Sequence, residues 1–385
     1  MYTILNPHIS DFLAEPVFYK LAKRRPLKKY GYLISEAVKK DGFINILVDS
    51  GTSGFMPMGI YQKLPYYLRL KLSKIEIRWW KRINNFGDEV SVFFLPEKIP
   101  NKENLIFFNY KHYKNSAILA KTCSVFKNCI VHLSHYHNDT RLQSSTLKAI
   151  PNIYLAADVD ISQNLYFKKY FNWYTKNLFI LPFAVESRFI QKQPWELRKN
   201  KILSMGTFHF FEESYLSGNA PELKDFYETS HAKALHPLRR EIFERKDELR
   251  EHIDCNNSPY IEPNARKSIW KIISPAKLFA SQQNYFSFDM VDRLNEYKFV
   301  IVGEELITGF PGIGTYEALA CGCVVIGDKS VYGKAPVTNL ITEYALTPEK
   351  AIEIMKDFNT PATHISKMRA EDNFLLVKDQ LEQIN

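Results

Sequence analysis

The stretch from Lys298 to Asp328, KFVIVGEELITGFPGIGTYEALACGCVVIGD, constrains the fold more than any other part of the chain. Phe299 to Val302 is an apolar, β-branched run of the length of a buried strand. A loop carrying Gly309, Pro311, Gly312 and Gly314 follows. Thr315 to Cys321 then has a helical pattern, and Gly322 stands where a left-handed helix stop is expected. Cys323 to Ile326 reads as a second buried strand. Strand, glycine loop, helix and strand together make a compact βαβ element, which belongs to a parallel sheet.

Such a unit suits an anion. Gly312 and Gly314 let the backbone approach a ligand, and the following helix start offers free N–H groups and a partial positive charge. Gly309, Phe310, Gly312, Ile313, Gly314 and Thr315 form the expected cradle. Glu317 is expected in the first helical turn, where its carboxylate can accept from a ribose diol while the amides take phosphate. The same spacing fits an N3 residue that only balances the helix dipole. Spacing alone leaves both readings open.

Gly309-Phe310-Pro311-Gly312 followed by Glu317-Ala318-Leu319-Ala320-Cys321-Gly322 resembles the donor-binding segment of GT-B glycosyltransferases, especially the large retaining family four. There the second of two glutamates, eight positions apart, binds the nucleotide ribose, and Glu317 matches it. The first would fall at position 309, which is Gly309, so the resemblance leaves retention or inversion open. Pro182-Phe183-Ala184-Val185-Glu186 is similar to the stretch by which that family leaves its first domain. Ile202 to Met205, with Gly206-Thr207 after it, is similar to the first strand and glycine turn of the donor domain. The family often has an arginine after that glycine and a lysine a few residues on. Here Thr207 and Phe208 intervene, and Arg239 or Arg240, opening a charged helix that runs to about Arg250, is a candidate replacement. A solvated, salt-bridged helix explains the same two arginines.

The resemblance implies an α/β protein of GT-B type, two Rossmann-like domains facing each other across a cleft. Residues 1–190 would bind the acceptor and 191–365 the nucleotide-sugar. A last helix, 366–385, would pack back across the domains. At 385 residues the chain has room for two cores.

Charge divides the chain. Residues 1–190 hold 27 lysines and arginines against 14 acids, and residues 191–385 hold 24 against 28. A basic first half suggests an anionic partner there. Within it, Leu64 to Ile83 places Leu64, Leu68, Leu72, Ile75 and Trp79 on one helical face and most of its cations elsewhere. Two readings stand: a helix lying on an anionic membrane, or a helix packed on the core with a solvated basic face. Alternating Leu68, Leu70 and Leu72 also admit a strand. The five cysteines lack CxxC spacing and read as reduced thiols. The first residues, MYTILNPHISDFLAEP, lack a signal peptide's basic region and apolar run, and no apolar segment approaches the roughly 18 residues of a membrane span. The expectation is a cytoplasmic protein, peripheral at the inner face of the membrane.

Strands are expected at Tyr2–Leu5, Phe43–Val48, Leu105–Asn109, Cys129–Leu133, Ile153–Ala156 and Leu178–Leu181, separated by helical patterns. Asp49, just past a strand end, is a candidate for the site or for a turn. His132, His135, His137 and Asp139 crowd at and beyond another strand end. Imidazoles there can deprotonate an acceptor hydroxyl or donate to developing phosphate charge, and many GT-B enzymes keep a functional histidine in this part of the first domain. HxxHxH alone does not specify a metal geometry, and no metal is expected.

The implied activity is transfer of a sugar from a nucleotide-activated donor to a hydroxyl of a glycan or lipid-linked acceptor, in bacterial surface polysaccharide synthesis. No cofactor is expected, the nucleotide-sugar being a substrate. An anionic membrane surface is a further expected partner; nucleic acid is not, for want of a recognisable motif. Three alternatives stay open. One is a sugar-nucleotide epimerase of the same fold. Another is a metal-dependent GT-A transferase using Asp158 and Asp160 as a DxD pair. The last is a non-enzymatic polyanion-binding protein using the basic half.

Overall fold

The computed structural model describes residues 1–7, 30–48, 63–108, 116–133, 140–182, 184–186, 188–208, 236–259, 289–302, 304–305, 310–327, 347–358 and 369–385. Asp49, His135, His137, Asp139 and Gly309 lie outside them. The chain divides into two compact units, one of Met1–Glu186 with Met368–Asn385, the other of Ser187–Lys367.

In the first unit the short apolar runs pair as one parallel sheet. Its strands are β1 (Thr3–Leu5), β2 (Ile44–Leu47), β3 (Val90–Phe93), β4 (Asn104–Phe108), β5 (Asn128–His132), β6 (Ile153–Ala157) and β7 (Phe179–Ile180), in the order β3-β2-β1-β4-β5-β6-β7. Every residue of β1, β2, β4 and β5 is buried, as expected of strands covered on both faces. The intervening helices are α1 (Tyr32–Asp41), α2 (Tyr66–Ile83), α3 (Ser116–Cys123), α4 (Thr140–Lys148) and α5 (Leu165–Tyr170). This is a Rossmann-like α/β unit.

Most of the stretch from Leu64 to Ile83, namely Tyr66–Ile83, is helical, not a strand, but its buried face is not the leucine stripe. Ser73, Glu76, Ile77 and Trp80 face inward, Leu68, Leu72 and Trp79 are half-buried, and Ile75 is 63% exposed. The inward face is set by Ile77 and Trp80, the only strongly apolar side chains among the four, and Trp80 packs against Phe86 with ring centroids 5.4 Å apart.

The second unit builds a four-stranded parallel sheet from β8 (Lys199–Phe208), β9 (Ile253–Pro259), β10 (Tyr297–Ile301) and, beyond a short hairpin, β13 (Val324–Ile326). The order is β13-β10-β8-β9. The hairpin pairs β11 (Glu304–Glu305) with β12 (Phe310–Pro311). Its helices are α6 (Pro237–Glu244), α7 (Lys246–Leu249), α8 (Met290–Asn295), α9 (Ile313–Ala320) and α10 (Pro348–Asp357). The charged helix expected to run unbroken to Arg250 is interrupted at Arg245, which serves as both the end of α6 and the start of α7. Arg245 there binds Glu241, Glu248 and Glu349. On one face of the sheet Ile202, Ile253, Phe299 and Val324 pack with Leu238 and Ile242 of α6 and Ala351 of α10.

The last helix, α11 (Ala370–Ile384), packs on α1 and β7 of the first unit. Lys40 pairs with Glu371 at 2.5 Å and Lys378 with Asp41 at 2.8 Å. Gln380 both donates to the carbonyl of Ile180 (3.0 Å) and accepts from its N–H (2.7 Å). A side-chain amide thus satisfies the open edge of β7, where an unpaired strand would otherwise present bare backbone. No described helix is long and apolar enough to cross a membrane.

Candidate functional site

The α6-facing side of the second unit's sheet changes character along the strands. Apolar Ile202 and Ile253 are paired in register, then Ser204 with Cys255, then Gly206 with Asn257. Small and polar groups therefore collect at the carboxyl ends, where parallel sheets bind ligands. Gly206 has φ +115°, a conformation open to glycine. A β-carbon there would fall 2.5 Å from the guanidinium carbon of Arg239 and 2.6 Å from each terminal nitrogen. Arg239 lies in the first turn of α6, and Asn257 Nδ2 donates to its carbonyl at 3.2 Å. Asn257 is 3% exposed, and its Oδ1 accepts no hydrogen bond among the described residues. Arg240, one residue on, is instead paired with Glu244 at 2.7 Å on the helix surface. Of the two arginines, the structure brings Arg239 to the glycine turn. Thr207 continues β8, paired with Ser258.

The neighbouring strand delivers the second expected element. In sequence β9 lies to one side of β8 and β10 to the other, so the connections diverge between β8 and β10. Crevices of this kind sit outside the carboxyl ends of the two diverging strands. After β10 the hairpin sets Glu305 opposite Phe310 and Glu304 opposite Pro311. Gly312 is the N-cap of α9, with Ile313, Gly314 and Thr315 in the first turn. Gly312 has φ −67° and needs no glycine for its dihedral. Gly314 lies against Val302, where an added β-carbon would make ordinary contacts of 3.5 and 3.7 Å. Packing there leaves room for a methyl group.

Glu317 does not fall in the first turn. Because α9 starts at Ile313, Glu317 is its fifth residue, in the second turn, half-buried. The helix closes as the sequence predicts. Gly322 adopts φ +77°, its N–H reaches Leu319 O, and the N–H of Cys323 reaches Ala318 O. Burial, with the negative charge of Glu317 next, raises the Cys321 thiol to about 12.

In the first unit, β5 and β6 carry His132 and Asp158 to one buried cluster with Tyr30. Tyr30 donates its hydroxyl hydrogen to Asp158 Oδ1 at 2.6 Å. His132 Nε2 lies 3.1 Å from the Tyr30 oxygen and 3.2 Å from Asp158 Oδ1. With its one hydrogen given to Asp158, the phenol can only accept from His132, so Nε2 carries a proton. Phe108 stacks on the imidazole, ring centroids 4.8 Å apart and 17° from parallel. His132 is fully buried and Asp158 4% exposed. Burial, then the nearby charge of Asp158, raises Tyr32 well above the usual phenol range.

Asp158 and Asp160 do different work. Asp158 is held inside by Tyr30 and His132, whereas exposed Asp160 accepts from the N–H of Ser162 at 2.9 Å as a local turn. The two carboxylates are engaged separately.

Sequence reasoning missed Tyr30, Asn257 and Arg198. Tyr30 adjoins a basic stretch and carries no pattern of its own. Asn257 sits in a strand, IDCNNSP, whose polar letters disguise it. Arg198 is 4% exposed and donates to Cys321 O (2.7 Å), Asn295 Oδ1 (3.1 Å) and Gln193 O (3.0 Å), anchoring the start of the second unit to the end of α9. No known family's sequence model matches this chain, and no curated protein matches it.

Proposed function

We propose that this protein is a glycosyltransferase that moves a sugar from a nucleotide-activated donor to a hydroxyl of a glycan or lipid-linked acceptor, in bacterial surface polysaccharide synthesis. The observation that carries the reading is the placement of Arg239 against Gly206, at the carboxyl end of β8, beside the strand that leads to the glycine-capped start of α9. A cation and a helix N-terminus at adjoining strand ends suit a diphosphate.

In this reading Arg239 and the first amides of α9 hold the donor diphosphate. They stabilise the charge that grows on it as the bond to the sugar breaks. Glu317 accepts from the ribose hydroxyls; its position in the second turn sets it back from the amides, as a ribose is set back from its phosphates. The first unit takes the acceptor, whose hydroxyl loses a proton as the new bond forms. His132, at the end of β5, is one candidate for the base that takes it. His135, His137 and Asp139 are the other candidates for that base.

The test is thermal stabilisation of the wild type, Arg239→Ala and Glu317→Ala by a panel of nucleoside diphosphates, CMP and their sugar conjugates. A ligand at a hundredfold its dissociation constant adds about 2.7 kcal/mol. Stabilisation by one base, weakened in both variants, supports the donor site and selects the donor for transfer assays. Absence of any shift from folded protein rejects it. Turnover of the sugar-nucleotide without a glycosylated product points to the epimerase.

A further inference from the structure

Helix α2 buries one face and leaves the opposite one bare. Tyr67, Lys71, Ile75, Arg78 and Arg82 recur at helical spacing, and all five are exposed. They stand across the helix from the buried Ser73, Glu76, Ile77 and Trp80. Tyr67 is 59% exposed and Ile75 63%. Lys74 and Lys81 flank this stripe and, with Arg78, line a cleft of about 550 Å³ between α2 and edge strand β3. Lys81 donates to Val90 O at 2.8 Å, and Lys74 lies over the Phe94 ring at 5.1 Å. Among the described residues none of Lys71, Lys74, Arg78, Lys81 and Arg82 lies within 4.0 Å of a carboxylate, though the charge of Lys81 acts on nearby Glu89. Asp88 is the one acid among the described residues that line the cleft.

We infer that this face of α2 docks on an anionic lipid bilayer. Charge complementarity selects an anionic partner. The two apolar side chains inside the cationic stripe select a bilayer over a soluble polyanion. Ile75 has no role against a polyanion's charged surface, but among lipid headgroups it leaves water, and Tyr67 suits the headgroup level. The cleft beside β3 gives Arg78 and its neighbours room for a headgroup phosphate. The inference is independent of the donor site, because it rests on the first unit alone.

The experiment is sedimentation of the full chain with vesicles of phosphatidylcholine alone, and of phosphatidylcholine containing phosphatidylglycerol. The wild type is expected to sediment with the second and not the first, less so as salt rises. Each lysine or arginine near an anionic surface strengthens partitioning roughly fivefold, so Lys71→Glu/Arg78→Glu/Arg82→Glu should weaken it by about a hundredfold or more. Ile75→Ser should weaken vesicle binding about fivefold while leaving retention on heparin unchanged. Melting curves check that the variants fold; should the triple variant not fold, Lys71→Ala and Arg82→Ala, each expected to lose about fivefold, take its place. No sedimentation of the wild type with anionic vesicles at low salt overturns the inference. So does full vesicle binding by Ile75→Ser with loss on charge removal alone, which would make the face a polyanion site.

Discussion

The guanidinium of Arg239 occupies the space that a side chain on Gly206 would fill, 2.5 Å from the missing β-carbon. The residues lie 33 positions apart and meet because α6 lays its first turn over the end of β8. Asn257 fixes that turn from the next strand by its bond to the Arg239 carbonyl. The cation is therefore positioned by backbone geometry.

Gly206→Ala tests this relationship. A non-glycine residue at φ +115° is strained by about 1–3 kcal/mol, and the new methyl group must push the arginine tip aside. The expected result is a melting point lower by several degrees and loss of nucleotide stabilisation. Arg239→Ala should lose the same stabilisation with a smaller change in melting point, since no backbone strain is added. Full nucleotide response in Gly206→Ala would separate Arg239 from the ligand.

Gly314→Ala should behave oppositely. Its methyl meets Val302 at 3.5 Å, an ordinary contact, and alanine is better in a helix by up to about 1 kcal/mol. The folded protein should melt at the same or a slightly higher temperature. If nucleotide response falls while stability holds, a ligand approaches the bare backbone at that turn; if both hold, neither packing nor a ligand requires glycine there.

The sequence made the sheet legible where strands were fully buried. β1, β2, β4, β5 and β6 each show a short run dominated by apolar residues, because both faces are covered. β9 was not legible, since IDCNNSP has only Ile253 and Cys255 to mark its inner face before the strand turns polar near Arg239. β3 escaped as a half-exposed edge strand of four residues. The α9 stop at Gly322 was legible because φ +77° demands a special residue. The start was not, because Ile313 and Gly314 look like loop; the helix begins two residues early, which puts Glu317 in the second turn instead of the first. In the cluster around His132 the histidine was visible, but its partners come from 102 and 26 positions away, a pairing only the fold supplies.

That cluster predicts a measurable coupling. Tyr30→Phe removes the hydroxyl that donates to Asp158 at 2.6 Å, at a cost of about 1–3 kcal/mol. A double-mutant cycle with Asp158→Asn, read by urea unfolding, should return a coupling near or above 1 kcal/mol. Additive losses would mean that the two groups do not share a bond in solution.

Arg198→Met should be among the more damaging changes in the second unit. Methionine fills much of the volume but leaves the carbonyls of Gln193 and Cys321 and the Asn295 Oδ1 without the guanidinium they share. Leaving such buried acceptors short costs about 2–4 kcal/mol in total. Arg198→Lys should recover only part of this, because a single ammonium cannot span three acceptors as a planar fork does. Urea midpoints of the three proteins check the ranking, and a lysine variant as stable as wild type would show that charge alone suffices.

The thiol of Cys321 gives the protein an alkaline limb. Burial first, and the charge of Glu317 second, raise it from the ordinary 9.0 to about 12. A group whose folded value lies above its unfolded value contributes stability in full below the unfolded value and loses it as pH rises toward the folded one. Stability should therefore decline between pH 9 and about 12, and Cys321→Ala should flatten part of that decline relative to neutral pH. Burial raises Cys323 as well, so the single variant removes only a share of the slope. The same protection acts on reactivity, since the thiolate is the nucleophile. At pH 8 a disulfide reagent should find Cys255, the half-buried thiol, before Cys123, Cys129, Cys321 or Cys323, and all five only after unfolding. Rapid labelling of Cys321 in the folded protein would show that the end of α9 opens, and the alkaline slope would then have another source.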